Sequence, residues 1–250
     1  MEKLVIARGA IAGAIAGVLA YLFARIQVEP IIGRAIERQD ANDAAAHASH
    51  GGMTMDSPEV FSRGIQENVG LGVGIIGFSI AMGLLFAVAY CVAASKFPQW
   101  SPRSLALAVA GSLFAGFYVI PYLKYPPNPP GVGDPDTIGE RTGTYVLMVA
   151  IALALVAVAW VAALALTPKF GGWGAALIGG AIILVGAVLA YLVLPEPLSS
   201  GDFPADDLFH FRTYSFLAQT IVWTGIGLIG GELLHRLTVS RGADRVPVSA

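Results

Sequence analysis

Charged side chains are scarce in this chain: Asp, Glu, Lys and Arg make up 13% of its 250 residues, against 56% hydrophobic ones. So little charge cannot cover a water-soluble surface. The net charge is −2 and no basic tract occurs, so nothing points to nucleic acid as a partner. One cysteine, Cys91, excludes an intramolecular disulfide; within an apolar run it reads as a small packing residue. A Gly-rich loop ending in Lys-Ser or Lys-Thr is missing, which excludes ATP hydrolysis by the chain itself. His-Glu-x-x-His, Cys-x-x-Cys and Gly-x-Ser-x-Gly are missing as well, and no enzyme is expected.

Long apolar runs are what the chain has instead. Its mean hydropathy is +0.69, and six stretches are long enough to cross a bilayer: 4–24, 69–95, 104–122, 143–166, 173–194 and 214–235. About twenty helical residues cover a hydrocarbon core of about 30 Å, and a chain in lipid must satisfy its own backbone hydrogen bonds. The sequence therefore predicts an all-α integral membrane protein, a six-transmembrane-helix bundle forming one domain over 1–250. Residues 25–68 are expected as a flexible outer loop and 236–250 as a cytoplasmic tail. The first run is too long for the apolar core of a signal peptide, and it reads as a permanent helix with Arg8 snorkelling to the headgroups.

The links between runs alternate in character. The N-terminus, 96–103, 167–172 and the tail are short and carry Lys3, Lys96, Arg103, Lys169, Arg236, Arg241 and Arg245. The three longer links hold most of the acidic residues. Only short loops and flanking positions count in the positive-inside rule, so both termini are expected in the cytoplasm.

The three outward units share a layout. Each has a helix rich in small residues, a proline-containing break, an acidic stretch and an arginine before the next helix. The breaks are Val28-Glu29-Pro30, Tyr125-Pro126-Pro127-Asn128-Pro129 and Leu194-Pro195-Glu196-Pro197; the arginines are Arg63, Arg141 and Arg212. The order reads as three repeated helical hairpins, a build plan known in transporters. Gly9, Gly13 and Gly17 form a small-residue ridge suited to close helix approach. Glu232 is placed for an i,i+4 pair with Arg236.

Candidate metal ligands lie in the outer loops. The first holds His47, His50, Met53, Met55 and Asp56: imidazole suits Co, Ni, Cu and Zn, and thioethers favour Cu(I). The second is stiffened by prolines and carries the hard oxygen donors Asp134, Asp136 and Glu140 beside Asn128. Arg63, Arg141 and Arg212 are expected to lock the loops through ion pairs with carboxylates such as Glu29, Asp134, Asp136, Glu140, Glu196 and Asp202. Surplus carboxylates and Asn128 would then face a cation path.

The motif Tyr-Pro-Pro-Asn-Pro-Pro-x-Val-Gly-Asp-Pro-x-Thr-Ile-x-x-Arg-Thr at 125–142 resembles CbtA, a family of predicted cobalt transporter subunits. The His-bearing first loop and the second Arg-Thr loop at 201–213 are similar to that family too, and the likeness spans essentially the whole chain. The resemblance implies a permease subunit for uptake of a divalent transition metal, with Co2+ as cargo and no permanently bound cofactor. It also implies the bacterial inner membrane and a small single-span, His-bearing partner subunit. Asn128, Asp134, Arg141 and Arg212 map onto shared motif positions. The first loop holds only two histidines, with methionines beside them, fewer than the richest family pattern. Lipid, that partner and a second copy of the chain are the associations to consider. A non-transporting membrane scaffold and a copper-handling protein, the latter favoured by Met53 and Met55, are the rival readings.

Overall fold

The computed structural model describes residues 2–50, 62–197 and 199–243, and among these residues there is no strand. The helices are α1 (Glu2–Gln27), α2 (Glu29–His50), α3 (Arg63–Lys96), α4 (Pro102–Lys124), α5 (Ile138–Val193) and α6 (Ala205–Ala243). All but α2 are long and apolar enough to cross a membrane, five in number among the described residues. Two of them contain a π turn, Gln66–Gly70 in α3 and Ala115–Val119 in α4. Helix α4 starts sharply because Ser101 caps it, its Oγ accepting from the Ser104 N–H at 3.1 Å, with Pro102 in the first turn.

The difference in helix count comes from α5. Its 56 residues would measure roughly 84 Å if straight, far beyond one bilayer crossing. It is not straight. Pro168 lies in the chain just ahead of Gly171, whose φ of 69° and ψ of 170° are non-helical and open only to glycine. The two limbs, 138–170 and 172–193, then run back along each other. Gly179 sits against Ala159, Gly186 against Leu155, and Met148 and Ala152 share a buried cluster with Ala187 and Ala190.

Helices α1, α3, α4 and α6 form the main core around Phe86, Leu105, Trp223 and Ile226. The α1–α3 contact is backbone against backbone: a methyl group added at Gly9 would overlap the Gly83 carbonyl oxygen, and one at Gly13 that of Ser79. Lipid tails offer no hydrophobic drive between helices, so such approach supplies the dispersion contacts that hold the pair. The α5 hairpin flanks this core, tied to it where Trp160 Nε1 donates to Ser112 Oγ at 3.0 Å. Its outer surface exposes Val146, Leu147, Val158, Val161, Leu184 and Leu192, an apolar face that suits lipid contact.

Residues 25–68 were expected as a loop, yet residues 29–50 form α2. The stretch is polar but rich in alanine with Glu37, Gln39 and Arg38, all good helix formers, and Pro30 sits in the first turn where it needs no donor. Polarity masked that propensity. The helix is also docked: Ile31 and Ala35 are buried, with Ile31 in a cluster with Val28 and Phe211, and Arg34 forms a two-pronged pair with Asp207 at 2.6 and 3.2 Å. At the other end of the chain, α6 continues through Ala243, past the point where a tail was expected.

Candidate functional site

The proline-rich segment after α4 caps a pocket of about 500 Å³, lined by Tyr118, Tyr122 and Tyr125 from α4 and its end, the 126–132 loop, Arg141 and Tyr145 from α5, and Glu196. Local rules explain how the cap holds its shape. Asp134 makes the turn that starts α5: its Oδ1 accepts from the Asp136 N–H at 2.9 Å, and its carbonyl accepts from Thr137 Oγ1 at 2.7 Å. Gly133 has a φ of 97°, which favours glycine, and the Arg141 guanidinium closes over it, Nη1 standing 2.6 Å from where a Cβ would lie.

The arginines hold this cap, by a different route from the one expected. Arg141 donates to the carbonyls of Val132 at 3.0 Å and Asp134 at 3.2 Å. Arg212 donates to the Asn128 side-chain oxygen at 2.8 Å and the Pro127 carbonyl at 3.3 Å. Among the described residues neither pairs with a carboxylate; prolines supply no amide donors of their own, and a guanidinium fork fits the carbonyls of the loop. Asn128 is thereby committed to Arg212 rather than left facing the pocket with a free amide oxygen. Only Arg63 meets the expected kind of partner, pairing with Glu29. That pair belongs to a charged cluster in which Arg25 Nε also donates to Asn68 Oδ1 at 3.0 Å and approaches Glu67 at 3.6 Å. Glu29 is 4% exposed. Its burial pushes the carboxyl above the usual glutamate value, Arg63 opposes that rise, and Glu67 adds to it.

So Arg141 and Arg212 converge on one loop, while Arg63 fastens α3 to the start of α2. Among the described residues no three His, Cys, Asp or Glu side chains gather as a metal cage. Asp136 and Glu140 are exposed, and Glu140 lines the pocket. Met53, Met55 and Asp56 lie outside the described residues, as do the side chains of His47 and His50.

Several residues of this end were not singled out from sequence. Lys124 is 8% exposed, and its Nζ donates to the Tyr191 carbonyl at 2.8 Å, with Glu196 at 3.8 Å. Tyr191 donates in turn to the Ile120 carbonyl, and Tyr125 to that of Pro195, both at 2.6 Å. These bonds stitch α4 to the second limb of α5. A lysine and tyrosines at the ends of apolar runs read as interface anchors, and only the antiparallel return of α5 gives them partners. Gln39 is another: it packs on Gly131 and so brings α2 against the cap.

Residues 2–235 match the family described as "Probable cobalt transporter subunit (CbtA)". The chain belongs to the CbtA family. No curated protein and no solved structure matches it. Membership in CbtA together with the apolar helices makes this a membrane protein of a cobalt-transport family, and the word subunit in that description implies that CbtA proteins work with a partner. In this CbtA member the capped pocket and the arginines that hold it are built from the motif at 125–142 and from Arg212.

Proposed function

We propose that this protein is the permease subunit of a divalent-cation uptake system, with Co2+ as cargo. The family match over nearly the whole chain carries that reading. The capped pocket supports it, since its lining sets two carboxylates, Glu140 and Glu196, against one arginine. On this reading both α5 limbs cross the bilayer, which gives six passes and puts both termini on the cytoplasmic side of a bacterial inner membrane. The short basic links would then lie inside and the proline cap outside. His47, His50, Met53, Met55 and Asp56 gather the cation in the first loop, and Asp134, Asp136 and Glu140 hand it to the pocket. A small single-span subunit bearing histidines is the proposed partner.

Uptake of radiolabelled cobalt, with and without the gene and with other metals as competitors, tests the proposal. Gene-dependent uptake at limiting cobalt is expected, and gene-dependent uptake of copper in place of cobalt would favour the copper-handling reading. Replacing His47 and His50 by alanine should weaken uptake at limiting metal and leave it nearly intact at saturation, because ligands ahead of the pocket raise local concentration only. Equal uptake with and without the gene would favour a scaffold.

A further inference from the structure

Three side-chain polar atoms among the described residues are buried with no hydrogen-bond partner: Tyr118 Oη, Arg141 Nε and Gln219 Oε1. Arg141 is otherwise tied to the cap. The other two lie on helices that face each other. Helices α4 and α6 run antiparallel, with Gly231 against Ala106 and Gly227 against Ala110. Further along, Phe216, Gln219 and Trp223 occupy one face of α6, at i, i+3 and i+7. Both flanking rings touch the π turn of α4: Phe216 lies 6.1 Å from Tyr118 and Trp223 stacks on Phe117 at 6.0 Å. Gln219 therefore faces the π turn, level with Tyr118. Single π turns inside α-helices occur frequently at functional sites.

Tyr118 is also the lining residue of α4 that sits furthest from the proline cap, so it forms the inner end of the pocket. An amide oxygen and a hydroxyl left unpaired within a bundle are costly, and native structures rarely keep them without use. Both can accept hydrogen bonds. The bound waters of a hydrated divalent cation present only donors outward.

We propose that Tyr118 Oη and Gln219 Oε1 form a polar seat below the pocket that accepts the hydration shell of a divalent cation passing between α4 and α6. The proposal rests on the transport reading above and names the first step inward from its pocket. Movement of the Tyr118 ring, stacked on Phe114 and Tyr122, opens the seat to the pocket.

The test uses the full chain in membranes, on a Cys91→Ala background. Gln219→Cys should react with a small hydrophilic thiol reagent, and Co2+ should slow that reaction several-fold while leaving a control at the exposed Ser95, Ser95→Cys, unchanged. Tyr118→Phe and Gln219→Leu should each reduce cobalt uptake about tenfold at matched protein level, with an unfolding midpoint at or above that of the parent. No reaction at position 219, or reaction without protection by Co2+, overturns the seat whatever the uptake. Parent-level uptake in both variants with a raised midpoint overturns it too, and marks the two atoms as packing defects. Cobalt protection in a chain that moves no cobalt upholds the seat and removes the transport reading instead.

Discussion

Arg141 carries a heavy structural duty in the cap, because its guanidinium bridges the Val132 carbonyl and the Asp134 carbonyl, the second of which Thr137 also reaches. Hydrogen bonds to a charged group contribute about 1.5–3 kcal/mol each. Arg141→Ala is expected to lower the unfolding midpoint in detergent and to cost about 2–4 kcal/mol in all. Arg141→Lys should recover less than half of that, since an ammonium cannot fork between two fixed acceptors. Full recovery by lysine would mean that charge alone matters. Glu29 supplies a pH test. Its folded pKa lies above the usual glutamate value of 4.5 through burial, so the native state holds the proton more tightly than the unfolded chain. The stability this contributes is complete below that value and is lost as pH rises through the folded pKa. A melting series should show that decline, and Glu29→Gln should flatten it. Arg63→Ala removes the charge that holds the pKa down, and should move the decline to higher pH. A slope unchanged by either substitution would contradict the assignment.

Among the elements, the α1–α3 pair has the least room to spare. Gly13→Ala places a methyl group against the Ser79 carbonyl, and should cost about 1–3 kcal/mol with a visible loss of folded yield. Gly77, on the same α3, has nothing within 4 Å of a built Cβ. Gly77→Ala should therefore be neutral or gain up to about 1 kcal/mol from helix propensity. Equal effects at the two positions would mean that the ridge is not a contact. The ridge was legible in the sequence, because Gly9, Gly13 and Gly17 repeat every fourth residue and lipid-embedded helices have few other ways to adhere. The expected Glu232–Arg236 pair is there as well, at 2.8 Å, joined by Arg103. Helix α2 was not legible, since hydropathy separates membrane from water and says nothing of helix against coil on the wet side. The site divides in the same way. Arg141 and Arg212 were found as a recurring pattern, but their acceptors are backbone carbonyls, which no residue code spells out, and for Arg212 also the side chain of Asn128, which had been expected to face the cation path. Tyr118 and Gln219 had no signal at all, because their pairing depends on the register of α4 against α6.

At the scale of the whole molecule, the turn at Gly171 fixes which ends share a side. If both limbs of α5 cross, Thr137 and Ser199 lie on one face of the membrane and Gly172 on the other. Single cysteines at Thr137 and Ser199, in a Cys91→Ala background, should label from outside in intact cells, and one at Gly172 only after permeabilisation. Thr137 and Ser199 labelling from opposite sides would make α5 a single crossing and put the termini on different faces. The same architecture sets the central claim, that a cap, a pocket and a bundle together admit a divalent cation. Cobalt entry into proteoliposomes, followed by quenching of a trapped metal-sensitive dye, measures that claim most directly. The purified chain, with its small partner subunit added where one is required, should admit Co2+ well above protein-free vesicles, and Arg141→Ala should abolish the difference. Entry no faster than the lipid leak, from correctly folded protein with its partner present, would contradict the account.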